Sequence, residues 1–310
     1  KHCSAPASVP LVYSPYYSIQ WDSKHRFPMS KYQRLYEHLA SLGIATQANT
    51  YISSPCPKQW IALAHDSAYI DGFIQGTLSQ QQMKTIGLQW SEALVKRTLT
   101  AVGGTIKTCQ LALQFDLSCH LAGGTHHAFA DQGRGFCVFN DIAVAVKTLL
   151  QQRQLRILVL DCDVHQGDGT ALILKDDPSC FTCSIHGADN YPFQKQVSDL
   201  DVALPRDTGD ADYLVALEQT LLQLEQLPPF DLVIYDAGSD VHRDDRLGQM
   251  LLSDDGIRKR DSRVISWAQQ RQIPIACLIG GGYDHDHDRL ARRHALLIET
   301  AERHYRYPAT

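Results

Sequence analysis

The stretch Arg156-Ile-Leu-Val-Leu-Asp-Cys-Asp-Val-His165 decides how this chain folds. Its first half is a short apolar run. Its second half carries Asp161, Asp163 and His165 at spacings i, i+2 and i+4. A run this short and apolar on both faces reads as a buried parallel strand. On an extended chain, residues two apart point the same way, so the three ionisable groups share one face at the strand's end. Desolvating them is costly unless they are paired or hold a cation.

The pattern recurs along the chain. Cys180–Ile185 runs into His186-Gly187, Asp231–Tyr235 into Asp236-Ala-Gly-Ser-Asp240, and Ile273–Ile279 into Gly280-Gly-Gly-Tyr283. A shorter run, Ser118–Ala122, leads to Gly123-Gly-Thr-His-His127. Helical stretches are predicted over Lys31–Leu42, Glu92–Gln114, Asp141–Gln152, Ala211–Gln226, Asp254–Gln270 and His287–His304. The alternation predicts an α/β fold: a single domain over 1–310, with a central, mostly parallel β-sheet flanked by helices on both faces. Residues 1–8 are expected to be a flexible lead-in. Gly187–Asp210 shows no clear period and is expected to be a long loop beside the site. Reactive residues follow each apolar run, and open parallel sheets bind ligands at that carboxyl edge.

Composition narrows the function classes. The chain has 310 residues, a net charge of −5, 44% hydrophobic and 20% charged residues, all globular proportions. A mildly acidic chain is a poor phosphate-backbone binder, so no direct nucleic-acid partner is expected. No apolar run approaches membrane-spanning length, so no membrane partner is expected either. The nine cysteines are scattered and odd in number, which reads as reduced thiols of a cytoplasmic protein. Cys180-Phe-Thr-Cys183 has no second pair to complete a metal site, and it reads as strand.

Two carboxylates and one imidazole from different strand ends make a three-ligand catalytic zinc site with an open position for water. Asp163 and His165 supply two of these; Asp240 or Asp236 supplies the third. His126 and His127, adjacent after a Gly pair, read as a proton-handling pair whose orienting carboxylates are Asp161 and Asp168. The alternative reading of Asp161–Asp168 is a solvated strand-to-helix turn, with Asp168 capping the helix that follows. Tyr283 puts a phenol where it can donate to a developing oxyanion.

Five ordered motifs carry a family resemblance. They are Leu121-Ala-Gly-Gly-Thr-His-His-Ala128, Gly135-Phe-Cys-Val-Phe-Asn-Asp141, Asp161-Cys-Asp-Val-His-Gln-Gly-Asp-Gly169, Asp236-Ala-Gly-Ser-Asp240 and Gly280-Gly-Gly-Tyr283. Together they resemble the zinc-dependent histone deacetylase family of the arginase/deacetylase superfamily. Tyr13-Ser-Pro-Tyr-Tyr17, His25-Arg-Phe-Pro-Met29 and Ile86–Leu94 look most like its class IV branch and bacterial relatives. The resemblance implies the arginase/deacetylase fold, one zinc held by Asp163, His165 and Asp240, and His126 and His127 as the tandem acid/base pair backed by Asp161 and Asp168. It makes Tyr283 the carbonyl-polarising residue and Gly135, Phe136 and Gly282 substrate contacts. It also implies a structural potassium near Asp161, Asp163, His165 and Ser184.

Departures from that pattern are Gln166, where many relatives have a second His, and Asp168, where several class IV relatives carry Asn. An anionic partner at 168 is expected to raise the basicity of His127. The implied reaction is hydrolysis of acyl-lysine in proteins, acetyl or longer. An acylated polyamine presents the same amide, and Asp22, Asp66, Asp199 and Asp201 are the rim carboxylates that could pair with its ammonium groups. A two-metal ureohydrolase of the same fold is the rival enzyme, although its ligand order is D-x-H-x-D and the order here is D-x-D-x-H. A catalytically dead acyl-group binder would keep the pocket but not the full set of reactive residues.

Overall fold

The computed structural model describes residues 6–22 and 24–307. Of the expected flexible lead-in, residues 1–5 lie outside the described residues. In chain order the elements are β1 (Leu11–Tyr13), α1 (Lys31–Ser41), β2 (Thr50–Ile52), α2 (Lys58–Ile61), α3 (Ser67–Gln75), α4 (Gln80–Ile86), α5 (Glu92–Phe115), β3 (Leu117–His120), α6 (Asp141–Gln152), β4 (Ile157–Asp161), α7 (Asp168–Leu174), β5 (Cys180–Gly187), β6 (Leu200–Leu204), α8 (Asp210–Leu224), β7 (Leu232–Asp236), α9 (Asp254–Gln270), β8 (Ile275–Leu278) and α10 (His287–Arg306).

The strands form one eight-stranded sheet in the order β2-β1-β3-β8-β7-β4-β5-β6. Every pairing is parallel. The central strands β3, β8, β7 and β4 are buried along their whole length. Strands of that kind need helices on both faces, which explains why they read as continuous apolar runs rather than alternating ones. The same four adjacent strands are the ones followed by the reactive residues. Parallel register then brings those residues to one edge: Asp161 lies opposite Asp236, and Asp236 opposite Leu278 just before the glycine run.

The helices begin where side chains satisfy their free N–H groups. Asn140 accepts from Ala143 at the start of α6, Ser91 from Leu94 at α5, and Ser253 from Gly256 at α9. One expectation needs correcting, and one alternative falls away. The segment Gly187–Asp210 is not all loop, because Leu200–Leu204 forms β6 at the sheet edge against β5. Its alternation of inward Leu200, Val202 and Leu204 is the period of a half-buried strand. Asp168 does not cap α7: Gly167 occupies the cap, and the Asp168 carboxylate turns to His127 instead. Cys180 and Cys183 are buried thiols of β5, and the described cysteines are all free. Among the described residues, no helix is long and apolar enough to cross a membrane.

Candidate active site

At the carboxyl end of β4 the chain bends so that each carboxylate oxygen has a task. Asp161 Oδ1 accepts from the Asp163 amide at 3.0 Å, and Asp163 Oδ1 from the His165 amide at 2.9 Å. Asp163 Oδ2 accepts from the Gly281 amide at 2.8 Å, which ties the tip of β4 to that of β8. Past β7, a single helical turn over Ser239–Val241 lifts Asp240 towards β4, where its Oδ1 accepts from the Val164 amide at 2.9 Å. The remaining atoms converge. His165 Nδ1 lies 3.0 Å from Asp163 Oδ1 and 3.2 Å from Asp240 Oδ2. One ligand atom from each of Asp163, His165 and Asp240 falls within 4.8 Å of the others, and all three residues are buried.

This donor set fits a divalent cation. Burial alone would lower the His165 pKa, but hydrogen bonds that its ring donates to Asp163 and Asp240 lift it to about 10. Burial opposes charge on Asp163 as well, yet His126 and His165 hold that carboxyl below the usual range. The spot therefore favours positive charge, and an oxygen–oxygen–nitrogen set with two carboxylates matches zinc in both chemistry and charge. Asp236 is not part of it. It groups instead with Asp161 and His126, and neither of its buried oxygens has a hydrogen-bond partner.

The tandem histidines sit on the turn after β3. Asn140 holds their backbone by donating to the carbonyls of His126 and Ala128, and the Asp141 carboxylate accepts from the Gly124 and Thr125 amides. His126 Nδ1 is 2.7 Å from Asp161 Oδ2, and His127 Nδ1 is 2.6 Å from Asp168 Oδ1. The two imidazoles are driven apart. Burial works against a charged His126, but Asp161 and Asp163 raise it well above the ordinary value. His127 is lowered to about 4, by burial first and by the charge of His126 second. Asp168 pushes His127 upward as expected, but burial and the neighbouring imidazolium outweigh it, so the imidazole still ends below its ordinary value.

Residues 25–299 match the histone deacetylase domain family. The chain belongs to this family. It is 47% identical over 295 residues to an uncharacterized protein of Picosynechococcus sp., a match covering 94% of this chain and 98% of that one. It is 29% identical over 290 residues to histone deacetylase 2 of Arabidopsis thaliana, covering 89% of this chain and 75% of that one. The fold is that of the crystal structure of a histone deacetylase homolog from Aquifex aeolicus, with TM-score 0.80, 23% identity, and coverage of 95% of this chain and 84% of that one. As a histone deacetylase family member the chain is a deacetylase, a hydrolase with a buried Asp/His metal site.

The deacetylase pocket opens through a cavity of about 470 Å³ lined by Gly135, Phe136, His127, His165, Tyr191 and Tyr283, among others. Gly135 has φ +56°, and a Cβ there would lie 2.9 Å from the His127 ring, so only glycine lets the wall approach the imidazole. Phe136 follows at φ 67°, a strained value for a non-glycine that turns its ring to within 5.9 Å of Tyr283. Gly282, read from the sequence as a substrate contact, is not among the lining residues. A Cβ on it would meet Ser239 Oγ at 2.4 Å and His294 Nε2 at 2.8 Å, so it faces the protein interior. Ser184 lies opposite Asp161 across β4 and β5, with its hydroxyl 2.9 Å from His186 Nδ1.

Of the four rim carboxylates considered for a polyamine, three are engaged elsewhere. Asp199 accepts from Thr182, Asp201 from Gln166 and Ser198, and Asp22 from the Lys24 amide; Asp66 precedes α3. None of the four lines the cavity. Gln166, the departure at the second-His position, clamps the rim loop: its amide donates to Gln196 O and accepts from Gln196 N.

Three contributors escaped the sequence reading. Tyr191 stacks edge-on to His127 with ring centroids 4.9 Å apart, and Arg134 donates to its hydroxyl. Asp245 accepts from the Tyr283 amide at 2.7 Å and fixes the loop that carries the phenol. Arg260, fully buried on α9, donates to Cys162 O, Gly238 O and Ala237 O, and so braces both ligand-bearing strand tips from behind. It also pairs with Asp261 at 2.8 Å, and Asp261 accepts from Tyr235. Breaking a buried pair of this kind costs about 3–5 kcal/mol. Arg260→Met is therefore expected to lower the denaturation midpoint in urea and also to weaken metal retention against a chelator. Unchanged metal affinity in a folded variant would remove the bracing role.

Proposed function

We propose that this chain is a zinc-dependent amidohydrolase that removes an acyl group, acetyl or longer, from the Nε amine of acyl-lysine in proteins. The observation that carries the reading is the convergence of the Asp163, His165 and Asp240 ligand atoms beside two imidazoles of opposite character and the Tyr283 ring. Asp163, His165 and Asp240 would hold the zinc. When bound, such an ion polarises the amide carbonyl and lowers the pKa of its water to about 7.

The chain's own groups handle the protons and the charge. His127 is neutral, with Nδ1–H directed to Asp168, so its Nε2 is free to take the proton of the attacking water. His126 stays cationic against Asp161 and supplies positive charge beside the developing oxyanion. The Tyr283 hydroxyl donates to that oxyanion. Burial, then the charges of Asp240 and others, keep the phenol protonated well above its ordinary range. The proton on His127 is the one the leaving amine needs when the C–N bond breaks. Gly135, Phe136 and Tyr191 form the apolar walls along which the lysine stem lies.

We further read 1–310 as one catalytic domain of the class IV branch, with a potassium at the tip of β4 near Asp161, Asp163, His165 and Ser184. A reducing, cytoplasmic setting accords with the free, buried thiols. The polyamine alternative has less support, since the four candidate carboxylates do not line the cavity.

The test is hydrolysis of three substrates by the zinc-loaded protein: an acetyl-lysine peptide, a long-acyl-lysine peptide and an acetylated polyamine. Turnover of an acyl-lysine peptide with near one zinc per chain is expected. Turnover of the polyamine alone would move the assignment to the alternative. Two manganese per chain with guanidine hydrolysis would move it to the ureohydrolases.

A further inference from the structure

The chain carries a net charge of −5, yet its catalytic mouth is lined by Arg26 and Lys84 against a single carboxylate, Asp189. Both cations are exposed, and neither has an ion-pair or hydrogen-bond partner for its side chain among the described residues. Asp189 is near enough to a third cation, Lys195, for the two charges to interact. Phe193 lines the same cavity, 90% exposed and edge-on to Tyr191. An apolar ring and two free cations around an acyl-lysine tunnel form a surface for the chain that carries the lysine, not for the acyl group itself.

We propose that this rim selects acyl-lysines flanked by carboxylate side chains, that is, acidic peptide segments. The inference rests on the acyl-lysine reading above and adds the sequence context to it. A carboxylate one or two residues from the modified lysine would meet Arg26 or Lys84 while the acyl group sits at the tip of the tunnel. A substrate rich in ammonium groups would meet the same two cations and be repelled. Exposed ion pairs are modest, worth about 1.4-fold to fivefold each, so the two together set a preference of about twofold to 25-fold. Long-range attraction acts on encounter as well, and salt screens both effects.

The experiment compares acetyl-lysine peptides with Asp, Ala or Lys on both sides of the modified residue, using the zinc-loaded protein and its Arg26→Gln/Lys84→Gln variant. For the wild type, kcat/KM is expected to fall in the order Asp, Ala, Lys. The Asp-to-Lys ratio is expected to shrink towards one in the double variant and in 1 M salt. Equal rates in all three contexts, a preference for Lys, or a preference that survives intact in the double variant would overturn the rim proposal alone. No turnover of any acyl-lysine peptide, with an acetylated polyamine hydrolysed instead, would overturn both this proposal and the acyl-lysine reading.

Discussion

Asp240→Ala is expected to empty the metal site and abolish amide hydrolysis together, with metal per chain falling from near one to near zero. Asp240 brings one of the three converging ligand atoms, 3.2 Å from His165 Nδ1, and its other oxygen holds the Val164 amide. Removing it leaves one carboxylate and one imidazole, too few donors for a tetrahedral site. It also strips the buried Val164 N–H of its acceptor, so the bend after β4 loosens along with the site. Asp236→Asn is the informative control, because Asp236 ends the strand that leads to Asp240, is equally buried, and groups with His126 and Asp161 instead. The control should retain its metal. Metal content measured after dialysis separates the two carboxylates, which spacing along the chain alone does not. A metal-free Asp236→Asn beside a metal-loaded Asp240→Ala would reverse the ligand assignment.

What could be read from the sequence follows from where the energy is concentrated. Strands β4, β7 and β8 are wholly buried, so their apolar runs stand out against the Asp and Gly residues that end them. The six long helices were legible from their period, with ends within a few residues of α1, α5, α6, α8, α9 and α10. β1 and β2, at three residues each, are too short to show any period. α4 did carry a readable signal, the Ser79/Gln82 capping box, but little apolar sequence followed to draw attention to it. Arg260 was hidden by its neighbours. The run Arg258-Lys-Arg-Asp261 looks like a solvated helix face, yet Ile257, Arg260, Asp261 and Val264 share the i, i+3, i+4, i+7 spacing of a buried stripe. Tyr191 reaches His127 through tertiary packing alone, and nothing local to either residue announces the contact. The balance between the two histidines was out of reach for the same reason. Asp168 is visible in the sequence, but the burial and the His126 charge that outweigh it are properties of the assembled site.

Tyr283→Phe is expected to keep the metal and lower kcat/KM by about 10²–10³-fold, corresponding to about 2.7–4 kcal/mol of lost transition-state stabilisation. The substitution is conservative in every respect but one. Tyr283 is only 9% exposed, its ring packs against Phe136 at 5.9 Å, and its place is set by the backbone bond to Asp245. A phenylalanine keeps all three and loses a single hydroxyl. Because burial holds the phenol protonated across neutral pH, that hydroxyl is a donor throughout the working range. A donor that meets charge only as the oxyanion forms acts on the transition state more than on bound substrate, so the loss should fall on kcat with KM little changed. A raised KM with kcat intact would instead mean that Tyr283 serves the deacetylase only as a wall of the tunnel, and would leave the oxyanion to His126 and the metal.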